Sequence, residues 1–129
     1  MKFKNLYSKK VDAVIAKEEE RPLKFLIIRF SSIGDIVLTT PVVRCLRKKY
    51  PHSVIHYFTK KKFAGILDSN PYLDKVLLLD DDPKAMGLKE TIQEIDRENY
   101  DHIIDLHHNL RTLRIKNAIR EIPFYSFHK

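Results

Sequence analysis

The sequence predicts an α/β domain built on a parallel β-sheet, and two observations carry this prediction. Short apolar runs typical of buried strands alternate with helical segments, without interruption after residue 22. The first run, residues 24–30, contains Phe-Leu-Ile-Ile at its centre, as expected for a central strand covered on both faces. Such alternation builds right-handed βαβ units with helices on both faces of the sheet.

Composition limits the class of protein. The chain has 129 residues, enough for one domain with its own core, and it contains no apolar run long enough to span a bilayer. No secretory signal is recognisable at the charged start. A single cysteine, Cys45, excludes an internal disulfide, fits a reducing compartment, and is expected to be a small buried residue of an apolar helix. The net charge of +7 favours polyanionic partners or simply a solvated surface, without choosing between them.

The elements are predicted in chain order from their periodicity and their breakers. Residues 1–22 form a charged N-terminal extension with an amphipathic helix that ends near Glu20, and residues 23–129 form the α/β domain. In the helix that follows the first strand, Pro41 either opens the helix after a Thr40 cap or bends it. The same helix places Val42, Val43 and Leu46 on one side and Arg44, Arg47, Lys48 and Lys49 mostly on the other. Strands are predicted at 24–30, 53–59, 75–79, 101–106 and 123–127. One helix is predicted after the first strand and runs to residue 50, and further helices are predicted at 61–68, 84–98 and 109–120.

The predicted fifth strand is followed by no covering helix. Two expectations are consistent with this pattern: the sheet stops at five strands, or the chain is part of a longer protein.

Ligands bind beyond the carboxyl ends of the strands in an open parallel sheet, so the segment 31–35 is a candidate site. Gly34 is expected to allow a sharp turn and close approach of a ligand, and Ser31 and Ser32 offer hydroxyls. Asp35 stands near a helix N-terminus, which favours an ionised carboxylate able to accept a proton. From residue types alone, an ordinary N-cap aspartate is the more probable interpretation of Asp35.

The loop after the fourth strand is the second candidate. Strand alternation places Asp105 and His107 on one face and His108 on the other. No complete ligand set with zinc-like spacing accompanies the two histidines, so polar recognition of a substrate, with Arg111 as the donor to an anion, is favoured over metal binding. The chain contains only three glycines, so neither a G-x-G-x-x-G motif nor a Walker loop exists, and dinucleotide binding is disfavoured.

Several spaced motifs resemble the lipopolysaccharide heptosyltransferases of glycosyltransferase family 9. Residues 25–42, FLIIRFSSIGDIVLTTPV, resemble the opening of that family, with its S-x-x-G-D turn and T-x-P helix. Residues 100–112, YDHIIDLHHNLRT, resemble its YD-apolar-apolar-DLH-x-NLR stretch, and the pairs at 50–51 and 70–71 match intervening segments. The resemblance covers about residues 24–127.

The resemblance implies an inverting transferase of the GT-B type, with two Rossmann-like domains facing each other across a cleft. It would transfer heptose from a nucleotide sugar, typically ADP-heptose, to the phosphorylated glycolipid of the lipopolysaccharide inner core. Asp35 would be the general base, and no metal or cofactor is implied. The enzyme would be cytoplasmic, with peripheral contact at the inner face of the cytoplasmic membrane. Substrate-binding residues carried over or adjacent by motif are Ser31, Ser32, Gly34, His107, Asn109 and Arg111, and Lys84 and Lys89 are weaker candidates for acceptor phosphates.

Members of that family are more than twice as long as this chain, and their second domain carries most of the nucleotide-sugar site. The resemblance therefore implies an N-terminal, acceptor-binding domain without transferase activity of its own. An alternative from another class is a basic α/β module that binds nucleic acid through the clusters 47–49 and 60–62, although no DNA-reading motif stands out. A phosphoacceptor receiver-like domain is less favoured, because residues 31–34 lack the acidic pair that such a site requires after its first strand.

Overall fold

The computed structural model describes residues 22–79 and 88–126. The predicted N-terminal helix and the 80–84 loop, including Lys84, lie outside the described residues. In the described part, five parallel strands form one sheet in the order β3-β2-β1-β4-β5, which confirms the predicted fold class. The strands are β1 (Lys24–Ile28), β2 (Val54–Lys60), β3 (Lys75–Leu79), β4 (His102–Asp105) and β5 (Phe124–Ser126).

The helices are α1 (Ile33–Leu38), α2 (Thr40–Lys49), α3 (Ala64–Asp68), α4 (Leu88–Glu98) and α5 (Leu110–Ala118), with a 3-10 turn at Lys61–Phe63 before α3. The single helix expected up to residue 50 is divided at Thr39. The Thr39 hydroxyl donates to the carbonyl oxygen of Ile36 at 2.6 Å and shares a hydrogen bond of 2.8 Å with the Tyr57 hydroxyl. Pro41 opens α2, as one alternative predicted, but the residue before the helix is Thr39 rather than Thr40. None of the described helices is both long and apolar enough to cross a bilayer.

The core lies on both faces of the sheet, because the central strand β1 is buried on both sides. Leu26 and Ile28 pack on one face with residues of α4 and α5, such as Ile95 and Ile115. On the opposite face, the apolar cluster gathers residues of β1, β2, α1, α2 and α3: Phe25, Ile27, Ile36, Val43, Ile55, Tyr57 and Leu67. The double burial explains why β1 is recognisable from its unbroken apolar run.

The strand order creates a crevice between β1 and β4. These strands are neighbours, yet α1 after β1 packs on one face and α5 after β4 packs on the other. The loops that leave the two strands therefore diverge at the carboxyl edge, which is the topological switch point where open α/β sheets bind their ligands.

Two expectations for α2 are wrong. Cys45 is exposed rather than buried, because Val43 takes the inward position of that turn. Arg47 does not face solvent with its neighbours, since its guanidinium donates to the carbonyl oxygens of Ser53 and Tyr72 and pairs with Asp74 at 2.7 Å. The long side chain reaches over the amino edge of the sheet and satisfies carbonyl groups there.

Candidate functional site

Arg29 joins the two loops of the crevice. It follows β1 directly, and its backbone N–H donates to the Phe58 carbonyl oxygen at 3.1 Å. One guanidinium nitrogen donates to the carbonyl oxygen of Leu106, after β4, at 2.7 Å. Another lies 3.0 Å from Asp35 Oδ2, on α1. Arg29 was not among the residues predicted for the site. A cation at the end of a buried strand needs a polar partner, and this need could have indicated its role.

Ser32 is the N-cap of α1 and Asp35 is its third residue, so Asp35 is not the N-cap itself but the reciprocal member of a capping box with Ser32. The Ser32 hydroxyl donates to Asp35 Oδ2 at 2.8 Å, and the Ser32 backbone N–H donates to the same oxygen at 3.4 Å. These bonds, with the nearby charge of Arg29, hold the pKa of Asp35 below its ordinary value of 3.8. The carboxylate is therefore ionised at neutral pH, as the sequence predicted.

The contacts of Asp35 leave one oxygen available. All of its hydrogen bonds and its ion pair fall on Oδ2, and within residues 22–79 and 88–126 no group donates to Oδ1. The side chain is 37% exposed. An ionised oxygen without a described donor, beside one that is held in place, can accept a proton from a bound hydroxyl.

Gly34 does not make the expected sharp turn. It is helical within α1, and neither it nor any other described glycine has a positive φ. A Cβ built at Gly34 would meet no heavy atom within 4 Å, so the space above it is open. Close approach of a ligand at this position stays a prediction.

Asp105 folds the loop after β4. Its buried Oδ1 accepts the backbone N–H groups of His107 at 2.9 Å and His108 at 2.8 Å. The His107 ring packs edge-on against Phe30, 5.2 Å between ring centroids. Burial lowers the pKa of His107, and the positive charge of Arg29 lowers it further, so the ring is neutral at pH 7.

Asn109 is the N-cap of α5. Its side-chain oxygen accepts the Thr112 backbone N–H at 3.0 Å, and its own backbone N–H donates to the Thr112 hydroxyl at 2.9 Å. This reciprocal pair satisfies backbone donors that the first helical turn leaves without partners. The structure thus shows a capping function for Asn109, and its contact with a substrate stays a prediction.

An open groove of about 410 Å³ brings several predicted residues together. It combines Ser31 after β1 with His107, Asn109 and Arg111 after β4. Lys60, at the end of β2, is an additional member that the motifs did not single out. The full lining is Phe30, Ser31, Lys60, His107, Asn109, Leu110 and Arg111.

The charges of this groove favour an anionic ligand. Lys60 and Arg111 are cationic, and none of the described lining residues is acidic. Ser32, Gly34 and Asp35 do not line the groove. They are connected to it through Ser31 in the chain and through the Arg29 bridge.

The remaining candidates contribute less. Lys89 lies in α4 and does not line the groove. Across the described residues, no three His, Cys, Asp or Glu side chains are grouped as a metal site requires.

Comparison with known proteins finds similarity to heptosyltransferases and to a family 9 glycosyl transferase. No family model matches the chain. Lipopolysaccharide heptosyltransferase 1 of Campylobacter coli is 34% identical over 85 residues, which cover 65% of this chain and 25% of the relative. The crystal structure of a family 9 glycosyl transferase from Veillonella parvula superposes with a TM-score of 0.70 and 27% identity, covering 82% of this chain and 36% of that one.

Two Escherichia coli structures support the fold alone. ADP-heptose LPS heptosyltransferase II superposes with a TM-score of 0.66 at 17% identity, covering 81% of this chain and 30% of its own. Heptosyltransferase WaaC with ADP superposes with a TM-score of 0.60 at 18% identity, covering 81% of this chain and 35% of its own. The chain thus spans about a quarter of its curated relative and about a third of the solved structures.

The parallel sheet and the switch-point crevice define a Rossmann-like α/β domain, and its fold is similar to that of solved GT-B glycosyltransferases. The chain is similar to a lipopolysaccharide heptosyltransferase and to a family 9 glycosyl transferase, which is the resemblance that its motifs predicted.

Proposed function

We propose that this chain forms the acceptor side of an inverting glycosyltransferase that moves heptose from ADP-heptose to the lipopolysaccharide inner core. The observation that carries the proposal is the state of Asp35. Its carboxylate is ionised, held through Oδ2 by Ser32 and Arg29, and open at Oδ1, beside the switch-point crevice. The names of the relatives supply the sugar and the acceptor class: one is a lipopolysaccharide heptosyltransferase, and another contains ADP.

In the proposed reaction, Asp35 Oδ1 accepts the proton of an acceptor hydroxyl. The freed oxygen attacks the anomeric carbon of the heptose as the bond between that carbon and the phosphate oxygen breaks. ADP leaves with the electron pair on the opposite face, which inverts the anomeric centre. Only one carboxylate is required, because the proton leaves the nucleophile while the new bond forms.

Arg29 and Ser32 adjust the base in two ways. Their hydrogen bonds orient the carboxylate and keep it ionised, but by lowering its pKa they also weaken it as a base. A weak, permanently ionised base suits a displacement in which the leaving phosphate supplies most of the driving force. The cost in basicity is offset by orientation, because a positioned carboxylate needs no reorganisation during the reaction.

The groove beside Asp35 would bind the acceptor. Lys60 and Arg111 line this groove and carry positive charge, which suits the phosphate groups of an inner-core glycolipid. His107 is neutral at pH 7 because of its lowered pKa, so it would contribute a hydrogen bond rather than charge. A glycolipid acceptor would place the protein at the cytoplasmic face of the membrane.

We expect no transfer from these 129 residues alone. The described strand ends offer no glycine-rich loop to hold a diphosphate, and the chain corresponds to only a quarter to a third of its relatives. In this proposal the donor nucleotide is bound mainly by protein outside this sequence, and neither a metal nor a cofactor takes part.

The test has a binding arm and a turnover arm. In the binding arm, a deacylated, phosphorylated inner-core oligosaccharide is titrated into the 129-residue chain by calorimetry. Arg111→Ala should weaken binding about tenfold, by the loss of one charge-assisted hydrogen bond, while Arg120→Ala, an exposed arginine after α5, should not. Equal affinities for the two variants would contradict the acceptor groove.

In the turnover arm, transfer from ADP-heptose is measured for this chain and for a protein that continues it with a donor-binding domain. Asp35→Asn should lower turnover about a hundredfold or more in the longer protein, the usual contribution of a general base. Asp68→Asn, at an exposed aspartate ending α3, should leave turnover unchanged. Near-normal turnover of Asp35→Asn would remove Asp35 from the base role.

The nucleic-acid alternative has less support. The basic residues 47–49 do not form one exposed cluster, because Arg47 pairs with Asp74, donates to backbone carbonyl oxygens and is only 18% exposed. A salt-dependent gel shift with generic DNA that is insensitive to Arg111→Ala would favour this alternative.

A further inference from the structure

The outer side of α1 and α2 exposes apolar residues that the core does not use. On α1, Val37 is 49% exposed and Leu38 is 74% exposed. On α2, which follows directly, Pro41 and Cys45 are exposed and Val42 is half-buried. We call these five residues the α1–α2 ridge. Isolated exposed apolar residues are ordinary, but a cluster on consecutive turns indicates a contact surface.

Cations line the grooves beside the α2 part of the ridge. Arg44 and Lys48 line a groove of about 580 Å³ that includes Pro41 and Cys45, between α2 and the segment after α3. Lys49 lines a second groove, of about 380 Å³, with Pro41, Val42 and Cys45. Neither groove has a carboxylate among its described lining residues, and no described acidic residue pairs with Arg44 or Lys48.

The ridge begins beside the proposed base. Leu38 follows Asp35 by three residues in the same helix, a spacing that places two side chains on one face. With a helical rise of about 1.5 Å per residue, their Cα atoms are separated along the axis by about 4.5 Å. Whatever covers the ridge therefore lies within about one helical turn of the candidate site.

We propose that the α1–α2 ridge docks on an anionic lipid bilayer, with the apolar residues entering the headgroup region and the flanking cations contacting lipid phosphates. The proposal rests on the proposed function, because it assumes that the acceptor is a membrane glycolipid. It goes further by assigning the membrane contact to one surface. A bilayer bound there holds the headgroup layer next to Asp35.

Charge and shape favour a bilayer over other occupants. An apolar strip with cations at its rim and no described acidic residue among its grooves is the pattern of interfacial binding to anionic lipid. A second copy of this chain would bring the same cations together across a two-fold axis, which is repulsive. Nucleic acid would leave Val37 and Leu38 without apolar contacts, and the ridge offers no aromatic ring for base stacking.

The test is flotation of the 129-residue chain with vesicles of phosphatidylcholine alone or mixed with phosphatidylglycerol, with no sugar donor or acceptor present. Binding should require the anionic lipid. Val37→Ser with Leu38→Ser should reduce binding at least tenfold. Arg44→Glu with Lys48→Glu should reduce it more than the roughly fivefold expected from each lost cation near an anionic surface.

The control variants lie on α5, away from the ridge. Leu113→Ser removes an apolar side chain that is 49% exposed, as Val37 is. Arg114→Glu with Lys116→Glu makes the same change of net charge as the α2 pair, at two exposed positions. These variants should bind the anionic vesicles nearly as the unmodified chain does, and circular dichroism should show unchanged folding for every variant.

Three results would overturn the proposal: no binding to anionic vesicles, equal losses in ridge and control variants, or self-association that the ridge variants abolish without any vesicle binding. The result is independent of catalysis. If vesicle binding is lost in the ridge variants but Asp35→Asn leaves the enzyme active, the proposed base is rejected and the membrane surface is kept. If Asp35→Asn abolishes turnover but the chain does not bind vesicles, the proposed base is kept and the membrane surface is rejected.

Discussion

Replacing Arg29 by methionine tests the bridge on which the candidate site depends. The Arg29 side chain is only 12% exposed, and its guanidinium links the Leu106 carbonyl oxygen at 2.7 Å to Asp35 Oδ2 at 3.0 Å. Methionine keeps much of the aliphatic stem but removes both polar contacts. The loops after β1 and β4 then lose their direct side-chain connection.

The expected magnitude follows from three contributions. Loss of a charged hydrogen bond to a carbonyl destabilises by about 1.5–3 kcal/mol. The pair with Asp35 adds only about 0.2–1 kcal/mol, because that carboxylate is more than a third exposed and solvent screens it. Arg29 Nε is buried without a hydrogen-bond partner among the described residues, so its removal recovers about 1–3 kcal/mol. Taken at the middle of these ranges, the three contributions leave a net loss of unfolding free energy of about 1 kcal/mol.

Two measurements check this reasoning. Urea unfolding at pH 7 should show the loss of stability, and carbon NMR of the Asp35 carboxyl should show its pKa moving up towards 3.8. Arg29→Lys should recover part of the pKa effect, because it keeps the charge but cannot reach both partners with one planar group. An exposed control, Arg120→Met, should change stability by no more than about 0.5 kcal/mol. Unchanged stability together with an unchanged Asp35 pKa would refute the bridge.

Three further predictions concern single contacts. Ser32→Ala should raise the pKa of Asp35, because the hydrogen bond from the Ser32 hydroxyl is the largest single cause of its lowering; the same NMR titration measures the change. Asn109→Ala should cost about 1 kcal/mol in urea unfolding through loss of the α5 cap, and Asn109→Asp, which retains a capping oxygen, should restore most of it. Burial lowers the pKa of His56, so the unfolded chain binds a proton that the folded chain resists, and stability should fall as pH drops below 6.5. His56→Gln should flatten this decline in urea midpoints taken above and below pH 6.5, and an equally steep decline in that variant would contradict the assignment.

The strands were predictable because burial on both faces leaves a direct record in the sequence. The predicted 75–79 strand agrees with the structure at both ends, and the observed β1 and β4 lie within the predicted runs. Residues at strand ends were less predictable, since the last apolar residues of a run also serve loops. Phe30, for example, lies beyond β1 but is buried against Phe58 and His107.

The helices were less predictable because their inward faces depend on partners from elsewhere in the chain. The division between α1 and α2 at Thr39 depends on a hydrogen bond to Tyr57 on β2. On α5, Leu113 is half exposed while Thr112 and Ile115 are buried, so hydrophobicity alone does not show which residues face the core. The local pattern indicates a helix, whereas the direction of its buried face is a property of the packed domain.

For the candidate site, the sequence alone determined the main chemistry. The alternation of strands and helices predicted a ligand-binding edge, and the motif around Asp35 put an acidic residue near it, since the succession of strands and the side-chain types can be read from local pattern. Only the tertiary structure showed that Asp35 is not the helix cap, that Arg29 orients it, and that Lys60 joins Arg111 in one groove. These features join residues far apart in the chain, and their distances exist only after β1, β2 and β4 have paired in one sheet.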